Sequence, residues 1–281
     1  MSDGFTYAGG NGDVIDFLSE PYFADPTAFC AHEWSVLQLG SSIAGLGNAS
    51  GEYEVSVGIS AATQDGGREA YRRMADAFEF DAAAGKPAAL TVNGYGARAY
   101  ATAVGVSEDD SFGLYEVTCQ VRFVVDGGLW TMEHPRFFAA GSGDGLNYPY
   151  DYPYNFGSGT GQHVANPGSP PAPVVITVYG PAEGPKVVIA GNSYEVDAAV
   201  DAGGRLVIDG LAKTITLYDA YGRAENAFSK RRGVQREGSG SYVFQRVPRG
   251  QSPVSWDGGF SFEARVVEVR SSPIPEVPRW W

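Results

Sequence analysis

Only one stretch of this chain repeats its apolar residues with a helical period; elsewhere they alternate at period two in short runs, so the chain is built of strands. From Gly66 to Lys86 the sequence GGREAYRRMADAFEFDAAAGK places Tyr71, Met74, Ala75 and Phe78 on one side of a helix. Arg72, Arg73, Asp76 and Glu79 fall on the other, Gly85 supplies a stop, and the spacing predicts a helix over 68–84. After an irregular start, GEYEVSVGI sets Tyr53, Val55, Val57 and Ile59 on one face of a strand. The runs PAALTV and ARAYATAV flank an Asn93-Gly94 turn, and YEVTCQVRFVV aligns Tyr115, Val117, Cys119, Val121 and Phe123 before Asp126-Gly127 closes it. This first unit reads as an α+β sheet or barrel carrying a single helix.

From about Met132 to Pro173 the regular pattern fades into Gly, Ser and Pro, as expected of a domain connection. Beyond it, PVVITVYG, KVVIAG, RLVIDG, KTITLYD, SYVFQRV and FSFEARVVEVR follow at close spacing, with turns at Asp209-Gly210 and Asp257-Gly258. The second unit therefore reads as an antiparallel β-sandwich of about 110 residues. A length of 281 residues leaves room for both cores, and 43% hydrophobic against 19% charged residues is the composition of a folded chain.

The charge is divided unevenly. Residues 1–170 hold 7 Lys+Arg against 21 Asp+Glu, a net −14, whereas residues 171–281 hold 13 against 12, a net +1. Such an acidic domain repels phosphates and is a poor nucleic-acid binder, though repulsion is useful where a polyanion must pass a surface without adhering. The N-terminus has no basic start followed by an apolar core, and no run of about 18 apolar residues occurs, so neither secretion nor membrane insertion is expected and the chain is expected to fold in a cytoplasm. Cys30 and Cys119 read as buried free thiols.

Catalytic signals are weak throughout. GYGARA at 94–99 fits a dinucleotide fingerprint in letters only, because it joins strand to strand and offers no helix N-terminus to a pyrophosphate. His32, His134 and His163 read as loop residues without a second ligand at i+2 or i+4, neither cysteine lies in a C-x-x-C motif, and Asp109-Asp110 reads as a solvated turn. No catalytic residue, cofactor or metal is expected. The basic run SKRRG, with Arg231 and Arg232, either grips an acidic neighbour or is an exposed loop. In NYPYDYPYNF, Pro149 and Pro153 hold the chain extended, so Tyr148, Tyr150, Tyr152, Tyr154 and Phe156 form a ladder of rings. Left in water it would be an apolar patch; the ladder is expected to lie against the second domain or a neighbouring subunit.

The order of an acidic β-rich unit with one helix, then YPYDYPYNF, NPGSPPAPVVITVYG, LVIDG and KTITLYD, closing on VEVRSSPIPEVPRWW, resembles the distal tail proteins of long-tailed, non-contractile bacteriophages. The resemblance spans nearly the whole chain, is most specific from Tyr148 to Asp219, and is loose over the first 50 residues. It implies a mainly β fold: a tail-tube-like α+β sheet or split barrel with one helix at 1–145, a connection at 146–170, and a galectin-like β-sandwich at 171–281. It further implies a structural, non-enzymatic virion protein of the tail tip, made in the host cytoplasm. The implied assembly is a hexameric ring that joins the tail tube to the tip or baseplate, meets the tape-measure protein, and leaves a channel for DNA in transit. Arg72 and Arg73 are then candidates for pairing with the next subunit, where surface ion pairs contribute little beside buried apolar area. Galectins bind sugar through H-x-N-P-R and a stacking Trp; here His163 to Gly168 reads HVANPG, without the Arg or the spacing. Sugar binding by an adhesion module is therefore the alternative. Trp256, Trp280 and Trp281, which it would use, are expected to be buried or docked on a partner.

Overall fold

A computed structural model describes residues 4–109, 115–141 and 162–274. The single helix, α1 (Gln64–Ala84), starts four residues before the sequence pattern places it. Thr63 is the reason: its hydroxyl accepts from the Gly66 N–H at 3.2 Å and caps the first turn, so Gly66 and Gly67 are helical. Gly85 ends it in the left-handed conformation, φ 63°, as anticipated. The buried face is Gly67, Ala70, Met74, Ala77, Phe78 and Asp81, while Tyr71 and Ala75 are only half-buried.

Contacts divide the chain into two units, residues 1–132 with 270–281, and residues 133–269. In the first, β1 (Phe5–Ala8), β2 (Val14–Asp16) and β3 (Tyr22–Ala24) occupy the stretch expected to be irregular. Strands of three or four residues give too few alternations for a period to show. β4 (Trp34–Leu39) and β5 (Ser42–Asn48) form a two-stranded hairpin that, among the described residues, is joined to no other strand. β6 (Gly51–Ala61), β7 (Ala88–Val92), β8 (Tyr95–Asp109) and β9 (Tyr115–Val125) follow, all antiparallel to their partners. Asn93 (φ 50°) and Gly94 (φ 80°) make the tight β7–β8 turn, two successive left-handed residues, so GYGARA is a hairpin. The strand order is β2-β1-β7-β8-β9-β6-β3, and Ala24 N–H donates to Phe17 O at 3.0 Å where its two ends meet. The sheet thus curls on itself around a core to which α1 contributes Met74, Ala77 and Phe78.

Phe123 is the hub of that core: Phe5, Tyr7, Phe17, Phe29 and Phe78 all place their ring centroids 5.3–6.4 Å from it. Tyr7 donates to the Asp81 carboxylate at 2.8 Å, as does the Gly10 N–H, which satisfies an otherwise isolated buried charge. Burial and that carboxylate both raise the Tyr7 pKa well above the ordinary tyrosine value. Cys119 is buried as expected, and desolvation pushes its thiol up to about 11. Cys30 is exposed instead, a correction explained by its place at the end of a 3-10 turn, Pro26–Cys30, in which Phe29 takes the buried position.

β10 (Trp130–Phe138) carries the chain into the second unit as regular strand, although its sequence reads as the start of a connection. Its polar residues mask the pattern. β11 (His163–Asn166) is likewise a strand within that stretch, so His134 and His163 lie on strands rather than loops. β12 (Val174–Tyr179), β13 (Ala182–Glu183), β14 (Lys186–Ile189), β15 (Asn192–Glu195), β16 (Ala199–Val200), β17 (Arg205–Asp209), β18 (Thr214–Tyr218), β19 (Ala224–Asn226), β20 (Gly250–Ser255) and β21 (Ser261–Arg270) complete the unit. One sheet runs β19-β18-β17-β12-β21 and another β11-β20-β14-β15. Ile176, Val178, Leu206, Ile208, Phe262 and Ala264 of the first meet Val164, Val187, Ile189 and Val254 of the second in one core, the sandwich the alternation predicts. SYVFQRV is not a strand. The left-handed glycines 238 and 240 turn the chain just ahead of it, and Val243, Phe244 and Val247 enter the core from irregular backbone held by one bridge, Ala172 to Val247.

Candidate functional site

The residues singled out in the sequence do not gather in one pocket. Arg72 and Arg73 are exposed on α1, and Arg73 is engaged within its own chain, donating to Asp13 at 3.0 Å and to the Val14 carbonyl at 3.4 Å. The neighbouring Arg68 bonds Glu108 at 3.0 Å and thereby holds that carboxyl below the usual range. Arg68 and Arg73 of α1 are thus both engaged with carboxylates of their own unit.

The basic run is also used internally. Arg231 lies over the Phe228 ring at 4.0 Å and donates to the Phe228 carbonyl, while Arg232 pairs with Asp197. Both side chains follow the 3-10 turn Phe228–Lys230 and find these partners within their own unit. Trp256 is half-buried: its indole N–H donates to the Phe260 carbonyl at 3.0 Å, and its ring meets Phe138 and Phe262 edge-on at 5.6 and 5.1 Å. Tyr148, Tyr150, Tyr152, Tyr154, Phe156, Trp280 and Trp281 lie outside the described residues.

One polar arrangement escaped the sequence. Glu268, 1% exposed on β21, meets His134 of β10 at 2.8 Å, and Asn166 of β11 stands close by with its amide donating to the Pro170 and Val247 carbonyls. Residues so far apart in sequence give no local motif. Among the described residues, no three or more His, Cys, Asp or Glu gather to hold a metal, and no helix is long and apolar enough to cross a membrane.

The other unanticipated feature is the β4–β5 hairpin. Every residue of β4 is exposed, including Trp34, Val36, Leu37 and Leu39, and Ile43 and Leu46 are exposed on β5. Its sequence signal is an absence: from Trp34 to Gly51 no charged residue occurs, between Glu33 and Glu52.

The architecture has solved counterparts. The chain is similar to the Dit protein of phage SPP1, a paradigm of the hub adsorption apparatus in phages infecting Gram-positive hosts: 11% identity, TM-score 0.55, covering 95% of this chain and 98% of that one. A phage P2 baseplate structure, in its activated conformation with calcium, aligns at 11% identity and TM-score 0.48 over 95% of this chain and 98% of that one. No family model matches the sequence, and no curated protein matches it. The likeness to the SPP1 protein covers 95% of this chain, so the mainly β fold of this chain is similar to the fold of that protein.

Proposed function

We propose that the protein is a structural component of a phage tail tip, a distal tail hub working by geometry rather than catalysis. The observation that carries this is the end-to-end match of fold: both units, in order, correspond to one hub protein with almost no residue of either chain left over. In this reading the first unit forms a hexameric ring beneath the tail tube, the second is a galectin-like sandwich, and tape-measure and tip or baseplate proteins dock on the ring's faces.

The charge distribution supports a channel. The first unit holds 19 Asp+Glu against 8 Lys+Arg, a net −11, and the second 14 against 12, a net −2. A ring of such units would repel DNA phosphates and let the genome slide. The glycan-binding alternative is not favoured: Trp256, the stacking residue it needs in the sandwich, is packed edge-on against core rings with its N–H occupied.

Light scattering with negative-stain electron microscopy of the purified chain, alone and mixed with the tube protein of the same tail, tests the reading. Sixfold rings with a central hole are expected. A monomer under both conditions overturns it.

A further inference from the structure

We propose that a cavity of the second unit, beside the β14–β15 turn, binds a phosphorylated polyol, an open-chain phosphate that also carries hydroxyls. The site lies wholly within that unit and needs no second copy of the chain.

The cavity has a volume of about 350 Å³, at the lower end of small-ligand sites. Four polar side chains line it, Asn192, Glu237, Gln245 and Arg246, and the rest of the lining is glycine, alanine, isoleucine and proline. Its walls are held in place. Ala190 (φ 51°) and Gly191 (φ 78°) make the tight β14–β15 turn as two successive left-handed residues. The facing loop is stitched to that hairpin: the Ser193 N–H donates to the Gly240 carbonyl at 2.9 Å, and the Asn192 amide to the Tyr242 carbonyl at 3.0 Å. Within the loop, Ser241 Oγ accepts from the Val234 N–H at 2.9 Å and Ser239 Oγ donates to the Val234 carbonyl at 2.8 Å.

The bonds these side chains lack define the ligand. Asn192 is 5% exposed and spends its amide N–H groups on the Tyr242 and Ser193 carbonyls, so its Oδ1 is a buried acceptor without a donor among the described residues. That carries a desolvation penalty which a ligand hydroxyl would relieve. Gln245 Oε1 accepts from the Gly238 N–H at 2.8 Å, which leaves its side-chain N–H groups without an acceptor among the described residues. Glu237 and Arg246 are exposed, and among the described residues neither forms an ion pair. Donors and acceptors crowded into one small space call for a ligand with both: hydroxyls for Asn192 Oδ1 and Glu237, anionic oxygens for Gln245 and Arg246. A guanidinium fork matches a phosphate bidentately. Glu237 works against a bare anion and so favours one from whose hydroxyls it can accept.

Charge fixes the sign of the ligand. Between Glu225 and Asp257 stand six Lys+Arg against one Asp+Glu, a net +5 in a chain of net −13. Lys230, Arg231 and Arg232 are occupied by Glu225, Phe228 and Asp197, whereas Arg236 and Arg249, like Arg246, are exposed without an ion pair among the described residues. This surplus draws a net anion and disfavours a zwitterion whose ammonium would seek Glu237. Shape narrows the class further. No aromatic side chain lines the cavity, so a sugar ring has no plate on which to stack, while an open-chain polyol needs none.

Calorimetric titration of the full chain with glycerol phosphate, propyl phosphate, glycerol and inorganic phosphate is the test. Glycerol phosphate should bind about tenfold more tightly than propyl phosphate, which has the same charge and no hydroxyl for Asn192 Oδ1, and more tightly than glycerol or inorganic phosphate. Arg246→Gln, at an exposed position, should weaken glycerol phosphate by about tenfold to a hundredfold, and an unchanged thermal melt shows that the variant folds. Arg236→Gln, outside the lining, should change affinity by about twofold at most. A poly(glycerol phosphate) chain titrated in parallel identifies the source: tighter binding per unit assigns the site to a polymer, equal binding per unit to a free polyol phosphate. Equal affinity for glycerol phosphate, propyl phosphate and inorganic phosphate would reduce the cavity to a non-specific anion patch and overturn the proposal. So would glycerol phosphate binding that survives Arg246→Gln unchanged, or no binding at millimolar ligand. Ring formation is read separately by light scattering, so neither result stands in for the other.

Discussion

The two units solve the same problem, a closed β core, with different side chains. Among the described residues, 11 of the 28 buried apolar residues in the first unit's core are aromatic, and of 25 in the second only 5. The difference follows from shape. A sheet curled around a helix encloses a wide, irregular space that large rings fill, so Phe123 ends up touched by five others. Two facing sheets about 10 Å apart interdigitate smaller β-branched residues, such as Val174, Ile176 and Ile208. The first core is therefore concentrated on one side chain and the second distributed over many.

Cutting away the hub should have the largest effect. Phe123→Ala removes the ring on which the others converge and should cost about 4 kcal/mol, whereas Ile208→Val in the second core should cost about 1 kcal/mol. Hydrogen exchange separates the two: β9 and β6 amides should speed up by about a thousandfold in Phe123→Ala. β17 amides should hardly change. Equal acceleration in both units would mean that they unfold as one, and the contrast between them would lose its energetic content.

A smaller perturbation sharpens the same point at the rim of the first core. Gly67 faces inward on α1, and a Cβ there would stand 2.4 Å from Cδ1 of the Tyr115 ring. Alanine gains about 1 kcal/mol of helix propensity but overpacks by about 1–3 kcal/mol. The balance should be a loss of about 1 kcal/mol of stability, read as a lower denaturant midpoint, and a stabilised Gly67→Ala would show that the aromatic core has slack.

Much of this fold was legible in the sequence, and the failures have causes. β6, β9 and β12 announce themselves because eleven- or six-residue strands give several alternations or an unbroken apolar run. β1 to β3 do not, being three or four residues long. β20 hides its period behind Gly250, Gln251 and Pro253, and only Ser252 and Val254 are buried. The candidate surfaces were read through charged and aromatic residues, which draw the eye. Arg73, Arg232 and Trp256 turn out to serve their own units, because a residue's partners depend on folding that brings Asp13, Asp197 and Phe260 to them. The β4–β5 hairpin is not legible in the sequence, because an apolar run reads equally well as core and carries no sign of its exposure.

The smallest expected effect, and the one that compares the two cores directly, is their response to alkali. Burial raises the pKa of Tyr7, Tyr22 and Tyr53 in the first unit and of Tyr194 in the second. A tyrosine whose folded pKa lies above its unfolded value near 10 stays protonated in the native state while the unfolded chain ionises. Its contribution is thus intact below about pH 10 and is lost as the pH climbs toward the folded value. Tyr115 is raised as well, with burial the largest cause, so among the described residues four such groups act on the first unit and one on the second, and between about pH 9 and 11 the urea midpoint of the first should fall further. Tyr7→Phe should flatten that fall, since it deletes the most strongly shifted group, although it also strands the Asp81 carboxylate with one donor fewer and lowers stability at every pH. Slope and level are separate readouts: an unchanged slope in Tyr7→Phe would show that the hydroxyl is not held protonated by its burial, whatever happens to the midpoint itself.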